Sequence, residues 1–220
     1  MEPRDLGRIF AAGALALAVA LPAAARAQAA AIPTPESVFG FRVGADYHLI
    51  DYDQSIAYFR QLAAASDRIK LVDVGVTANG HPWTLAIISS PENLAKLDHY
   101  RDIAQRLAHP EGLSAADAHL LAREGRAFVD ISGGLHASEV AGAQHTIQLA
   151  YDLLSRPDDP ETKAILDNDV LLLWPSINPD GQNIVVHWYR ENVGTPYEVA
   201  PLHELYEKYV GHDDNRDAYM

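Results

Sequence analysis

The feature that most constrains this chain is an apolar run, Ala127-Phe128-Val129-Asp130-Ile131-Ser132, that ends in Gly133-Gly134 and leads at once into Leu135-His136-Ala137-Ser138-Glu139. A short apolar run bounded by glycines is the pattern of a buried strand. Glycines at the strand end let the backbone turn sharply, so a His and a Glu three apart can converge on one point. Imidazole nitrogen and carboxylate oxygen are both good zinc ligands, and catalytic zinc sites use three protein ligands plus a water. His136 and Glu139 are therefore candidate metal ligands. The pair by itself is weak evidence. With 10 His in 220 residues, chance supplies roughly half an H-x-x-E per chain, and His48-x-x-Asp51 and His99-x-x-Asp102 show how cheaply similar spacings arise. A helix start with Glu in its first turn, favoured by the helix dipole, suits the same residues.

The rest of the chain supplies context. Residues 28–50, with Ile32-Pro33-Thr34-Pro35 and later Gly40 and Gly44, suggest an extended lead-in. Tyr52–Ala65 carries Ile56, Phe59, Leu62 and Ala63 at helical spacing. Lys70–Val76 alternates like a strand, Asn79-Gly80 centres a turn, and Trp83–Ile88 is the partner strand, with His81 a solvated residue at the hairpin tip. A helix is expected over Pro91–Ala108 and a second, short one after Ser114, with Asp117 completing a capping pattern. Val140–Leu154 is a long helix that Arg156–Pro160 ends, with His145 a packed helical residue pointing away from the His-Glu pair. Glu161–Leu166 is a brief helical turn. Asp169–Pro175 is a near-continuous apolar strand, and Asp180-Gly181 suits a tight turn. Strands alternating with helices imply an α/β domain of three layers, α/β/α, around a mixed, largely parallel central sheet. In such sheets ligands gather at the carboxyl ends of strands, where Ser132–His136 and Ser176–Gly181 both place polar groups.

The first 27 residues have a different character. Arg4 and Arg8 flank a short start, Ile9–Leu21 is apolar, and Ala25-Arg26-Ala27 is an A-x-A cleavage site, which is the layout of a secretory signal peptide. The apolar core is short for a bilayer span. The expectation is an exported protein, secreted or periplasmic in a bacterium, with no membrane span after cleavage. A net charge of −13 at pH 7 argues against nucleic acid or anionic lipid as the main partner. There is no cysteine, so a disulfide framework and a thiolate metal site are excluded. Any metal must be held by His, Asp and Glu.

Three segments together carry a resemblance. Residues 133–142 (GGLHASEVAG), 174–183 (WPSINPDGQN) and 211–217 (GHDDNRD) are similar, in order and separation, to the zinc carboxypeptidases of the carboxypeptidase A-like superfamily. The lead-in Gly40-Phe41 to Asp46-Tyr47 and the hairpin also resemble the start of such domains. The resemblance implies Zn2+ as cofactor, held by His136 and Glu139, with Asn215 and Arg216 binding the terminal carboxylate of a peptide substrate. Arg190 is a tentative match to an arginine that polarises the scissile carbonyl. A planar guanidinium meets a carboxylate bidentately, which suits Arg216 to the role. A surface arginine paired with Asp213, Asp214 or Asp217 is the plain alternative.

In that family the third ligand, a His, and the general-base Glu lie beyond the Asn-Arg pair. The resemblance therefore implies that this sequence is the amino-terminal part of a catalytic domain: a signal peptide over 1–27, the lead-in over 28–50, and an incomplete domain over 51–220. On its own it is expected to bind zinc poorly and to lack peptidase activity. An amidase or deacylase of peptidoglycan peptides on the same scaffold, or a pseudo-enzyme that kept the fold, remain open alternatives.

Overall fold

A computed structural model of the chain describes residues 31–204 and 206; the leader and the Asn215–Arg216 pair lie outside them. The lead-in contains one short helix, α1 (Pro35–Phe39), which Thr34 caps by accepting from the Ser37 amide. Proline at its first position presets the helical φ, which an extended reading of this Pro-rich stretch overlooks. Ile32, Val38, Phe39, Phe41 and Val43 pack against the core, and the Tyr58 hydroxyl donates to Pro33 O at 2.8 Å. The lead-in is thus tied to the domain by packing as well as by the chain.

Helix α2 (Tyr52–Ala65) has the bounds its periodicity predicts and begins with a full capping box between Asp51 and Gln54. The hairpin follows: β1 (Ile69–Val76) pairs antiparallel with β2 (Pro82–Ile88), with one irregularity between Asp73 and Gly75. The single helix expected next is two, α3 (Pro91–Leu94) and α4 (Leu97–Ala108). The break lies beside Asn93, which is buried and donates its amide to Ser89 Oγ, Leu166 O and Asp167 O. An amide turned inward to two carbonyls at the end of α7, beside its own neighbour Ser89, anchors α3 to another part of the fold.

Helix α5 (Ala115–Glu124) starts at Ser114, which accepts from the Asp117 amide. Then come β3 (Ala127–Ser132), α6 (Ala141–Ser155), α7 (Pro160–Asn168), β4 (Asp169–Trp174) and α8 (Pro179–Asn192). The four strands form one mixed sheet in the order β1-β2-β4-β3. The β3–β4 pairing is parallel, while β2–β4, like the hairpin, is antiparallel. The domain is α/β around this mixed sheet, as expected, and its parallel character is confined to β3 and β4.

The core sits between one face of the sheet and the helices α2 and α6. Ala86, Ile88, Leu171 and Leu173 come from the strands, Tyr58, Phe59 and Leu62 from α2, and Ile147, Ala150, Leu153 and Leu154 from α6. The register aligns Ala86 with Leu173 and Ile88 with Leu171, so one row of side chains faces the helices. Each such aliphatic or aromatic side chain contributes about 1.5–3 kcal/mol when fully buried. That packing holds β3 and β4 side by side with their carboxyl ends level, Ser132 opposite Trp174.

Candidate metal centre

The two level strand ends continue their pairing into the loops. The Gly133 amide donates to Trp174 O at 3.2 Å, and the Ile177 amide donates to Gly133 O at 2.8 Å. Gly133 is required by space: a Cβ there would stand 2.5 Å from Thr146 Cγ2 and 2.8 Å from Gly142 O. Gly134 is required by conformation as well, with φ +68°. The chain can therefore pass between β3 and α6 and turn back on itself.

That turn brings His136 and Glu139 together, as the spacing predicts. His136 Nδ1 lies 3.1 Å from Glu139 Oε2. A carboxylate only accepts, so the contact is a hydrogen bond in the tautomer that carries its proton on Nδ1. The Glu139 amide donates to His136 O, and the Gly142 amide to Glu139 O, stacking two turns ahead of α6. Both side chains line a cleft of about 440 Å³ with Ser132, Leu135, Val140 and Ala141, and both are open to solvent, at 45% and 72% exposure.

The donor atoms suit zinc. Tetrahedral ligands with bonds of about 2.0–2.2 Å stand roughly 3.3 Å apart, close to the separation of Nδ1 and Oε2. Among the described residues, no group of three or more His, Cys, Asp or Glu converges to hold a metal. Among the described residues the pair therefore offers two donor atoms side by side and no third.

Asn178-Pro179-Asp180-Gly181 is a helix start in the structure, where a tight turn was expected. Asn178 accepts from the Gly181 amide at 3.0 Å and Pro179 takes the first helical position. Asn at the cap followed by Pro is a sequence signature of a helix N-terminus, and it was the signal that would have found α8. Asn178 also donates its Nδ2 to Leu135 O at 3.3 Å. Asp180 is buried and accepts from Thr77 Oγ1 at 2.6 Å and from the Asn79 amide at 3.1 Å.

The other readings divide. His81 is half-buried rather than solvated, with Nδ1 3.2 Å from Asp53 and Nε2 3.4 Å from Asn183, because α2 and α8 both pack against the hairpin tip. His145 is exposed, not packed, and its Nδ1 meets Gly142 O at 2.6 Å; the buried stripe of α6 runs through Ala143, Thr146, Ile147 and Ala150 instead. Arg190 is on the last turn of α8 and grips the start of α2. It bonds Asp51 Oδ2 at 2.7 Å, Leu49 O at 2.8 Å and Gln54 Oε1, and it is absent from the cleft lining. Asp130 was not anticipated: it accepts from Ser132 Oγ at 2.9 Å and from Trp174 Nε1 at 3.0 Å, pinning the rim of the cleft to β4.

The sequence pattern of the zinc carboxypeptidases matches residues 55–217. No curated protein matches. Among solved structures, a crystal structure of thrombin activatable fibrinolysis inhibitor superposes with a TM-score of 0.47 at 10% identity, over 68% of this chain and 28% of that chain. The chain thus spans well under a third of the length of that protein. With the family pattern matched from 55 to 217, over most of its length, the chain belongs to the zinc carboxypeptidase family.

Proposed function

We propose that the chain belongs to an exported, zinc-dependent carboxypeptidase that removes residues from the free carboxyl end of peptides. The observation that carries this reading is the convergence of His136 Nδ1 and Glu139 Oε2, 3.1 Å apart in an open cleft, in a chain of this family. Export rests on the signal-peptide pattern of residues 1–27. No helix among the described residues is long and apolar enough to cross a membrane.

His136 and Glu139 would hold the metal, which supplies Lewis acidity toward a carbonyl when bound. His136 must give up its Nδ1 proton to bind, and Glu139, which accepts that proton's hydrogen bond, is placed to exchange it for the cation. The loop needs little movement to do so, since the two donor atoms already stand 3.1 Å apart. Asn215 and Arg216, by resemblance, would clamp the substrate carboxylate, and an arginine fork pairs a carboxylate through two parallel bonds. Two protein ligands hold zinc weakly, so the site of the described residues calls for further ligands before it is a tight one.

Zinc titration of the chain, followed by NMR at the His136 ring and the Glu139 side chain, tests the reading. Saturable shifts at both groups are expected, lost in H136A and E139Q. Shifts absent at His136 while Glu139→Gln changes nothing would overturn it. With the complete protein, a peptide ending in a free carboxyl should be shortened and its C-terminal amide should not.

A further inference from the structure

The Asn-Pro-Asp-Gly segment touches the metal-ligand loop at two points. Asn178 Nδ2 donates to Leu135 O, the residue before His136. Gly181 lets Ala137 approach so closely that a Cβ at 181 would stand 2.8 Å from Ala137 Cβ. Just upstream, the Ile177 amide holds Gly133 O. Of these, only Asn178 acts through a side chain, and its two ends do different things. The carbonyl oxygen caps α8 by accepting from the Gly181 amide; the NH2 reaches across 43 residues of sequence to the loop.

We propose that Asn178 is a positioning residue for the metal ligands, holding the Leu135–Glu139 loop in the geometry in which Nδ1 and Oε2 face one cation. The argument is one of anchorage. Leu135 itself is 62% exposed, so its side chain does not fasten the loop. Both His136 and Glu139 are open to solvent. Buried Ala137 is held by contact with Gly181, and the directional hold on the backbone just ahead of His136 is the Asn178 amide. Outer partners of this kind orient metal ligands, and losing one lowers metal affinity by about 10–100-fold.

The proposal rests on His136 and Glu139 being the ligands, and the test separates the two. Asn178→Asp keeps an equally good helix cap but turns an acceptor, in place of a donor, toward Leu135 O. Its added negative charge by itself would favour a cation, so a weaker site cannot be blamed on charge. Asn178→Ser is the neutral counterpart, a good cap too short to span both partners. In the 220-residue chain, both variants should melt close to the parent, yet raise the zinc Kd read by NMR at His136 by roughly tenfold or more. The metal-free chain gives a second readout: hydrogen exchange of the Glu139 amide, which bonds His136 O, should quicken in both variants while the α8 amides stay protected. Unchanged zinc Kd and unchanged Glu139 exchange in both variants would overturn the proposal. If the parent shows no zinc shift at His136, the ligand assignment fails, and the exchange readout still decides whether Asn178 holds the loop. Should the Asp variant not fold, the Ser variant is read by the same two measures.

Discussion

Thr77, at the hairpin turn, donates its hydroxyl to Asp180 Oδ1, at the start of α8, over 2.6 Å. The second carboxylate oxygen takes the Asn79 amide at 3.1 Å, and Asp180 is 1% exposed. One buried carboxylate thus fastens the β1–β2 turn to the helix whose cap touches the metal-ligand loop. Asp180→Ala would leave the Thr77 hydroxyl and the Asn79 amide short of a partner, a loss of about 2–3 kcal/mol. Urea unfolding should show it as a lower midpoint at unchanged slope. Thr77→Val, which removes one of those two bonds and also the oxygen that accepts from the His81 amide at 3.0 Å, should cost a similar amount, about 2–3 kcal/mol.

Gly133→Ala is expected to destabilise the chain by ~1–3 kcal/mol through overpacking. The added Cβ would lie 2.5 Å from Thr146 Cγ2 and 2.8 Å from a backbone oxygen. The oxygen belongs to α6 and cannot rotate away. A double variant, Gly133→Ala with Thr146→Ser, removes the Cγ2 clash but not the Gly142 contact, so it should recover part of the loss. Thermal melts of the two variants check the order.

Arg190 joins Asp51, Leu49 O and Gln54, and the Asp51 side chain is 9% exposed. Arg190→Ala should lower stability by about 2 kcal/mol, since it leaves a largely buried carboxylate without its cation. Arg190→Lys should recover only part, because an ammonium cannot serve three acceptors spread across a guanidinium's fork. A chevron or equilibrium denaturation series would measure both. If Arg190 instead served only a reacting carbonyl, neither variant would change stability.

Two tyrosines make the fold sensitive to alkali. Burial pushes the Tyr58 hydroxyl well above its usual 10.0, helped by the nearby Tyr151 and Asp152. Burial also raises Tyr52, against a smaller opposing effect of hydrogen bonding with Thr84. A raised pKa means the folded state favours the neutral phenol. The stability this gives is fully present below pH 10 and falls as pH rises toward the folded values. Tyr58→Phe should therefore flatten the decline in melting temperature above pH 10. Below that pH it should cost about 1 kcal/mol for the lost bond to Pro33 O.

Much of the secondary structure was legible because its signals are local. β3 has the bounds of its apolar run and α2 those of its periodicity, although β3, expected to be buried, lies at the edge of the described sheet with Val129 exposed; the hairpin follows from Asn79-Gly80 between two alternating runs. The break between α3 and α4 was not legible. It accompanies Asn93 in α3, two of whose acceptors lie at the end of α7, more than 70 residues away. His81 shows the same limit: its neighbours Asp53 and Asn183 come from helices that nothing in the turn's own residues announces.

The sequence by itself determined that His136 and Glu139 follow a glycine-ended strand, and that three motifs stand in the order of one family. Spacing along a backbone is enough for that, because a three-residue separation and a glycine's freedom are short-range properties. Only the tertiary structure decided that Nδ1 and Oε2 meet at 3.1 Å, that Arg190 is bound to the start of α2, and that Asn178 reaches Leu135. These depend on how β3, β4, α6 and α8 pack, and packing distances come from the whole core rather than from any one stretch of chain.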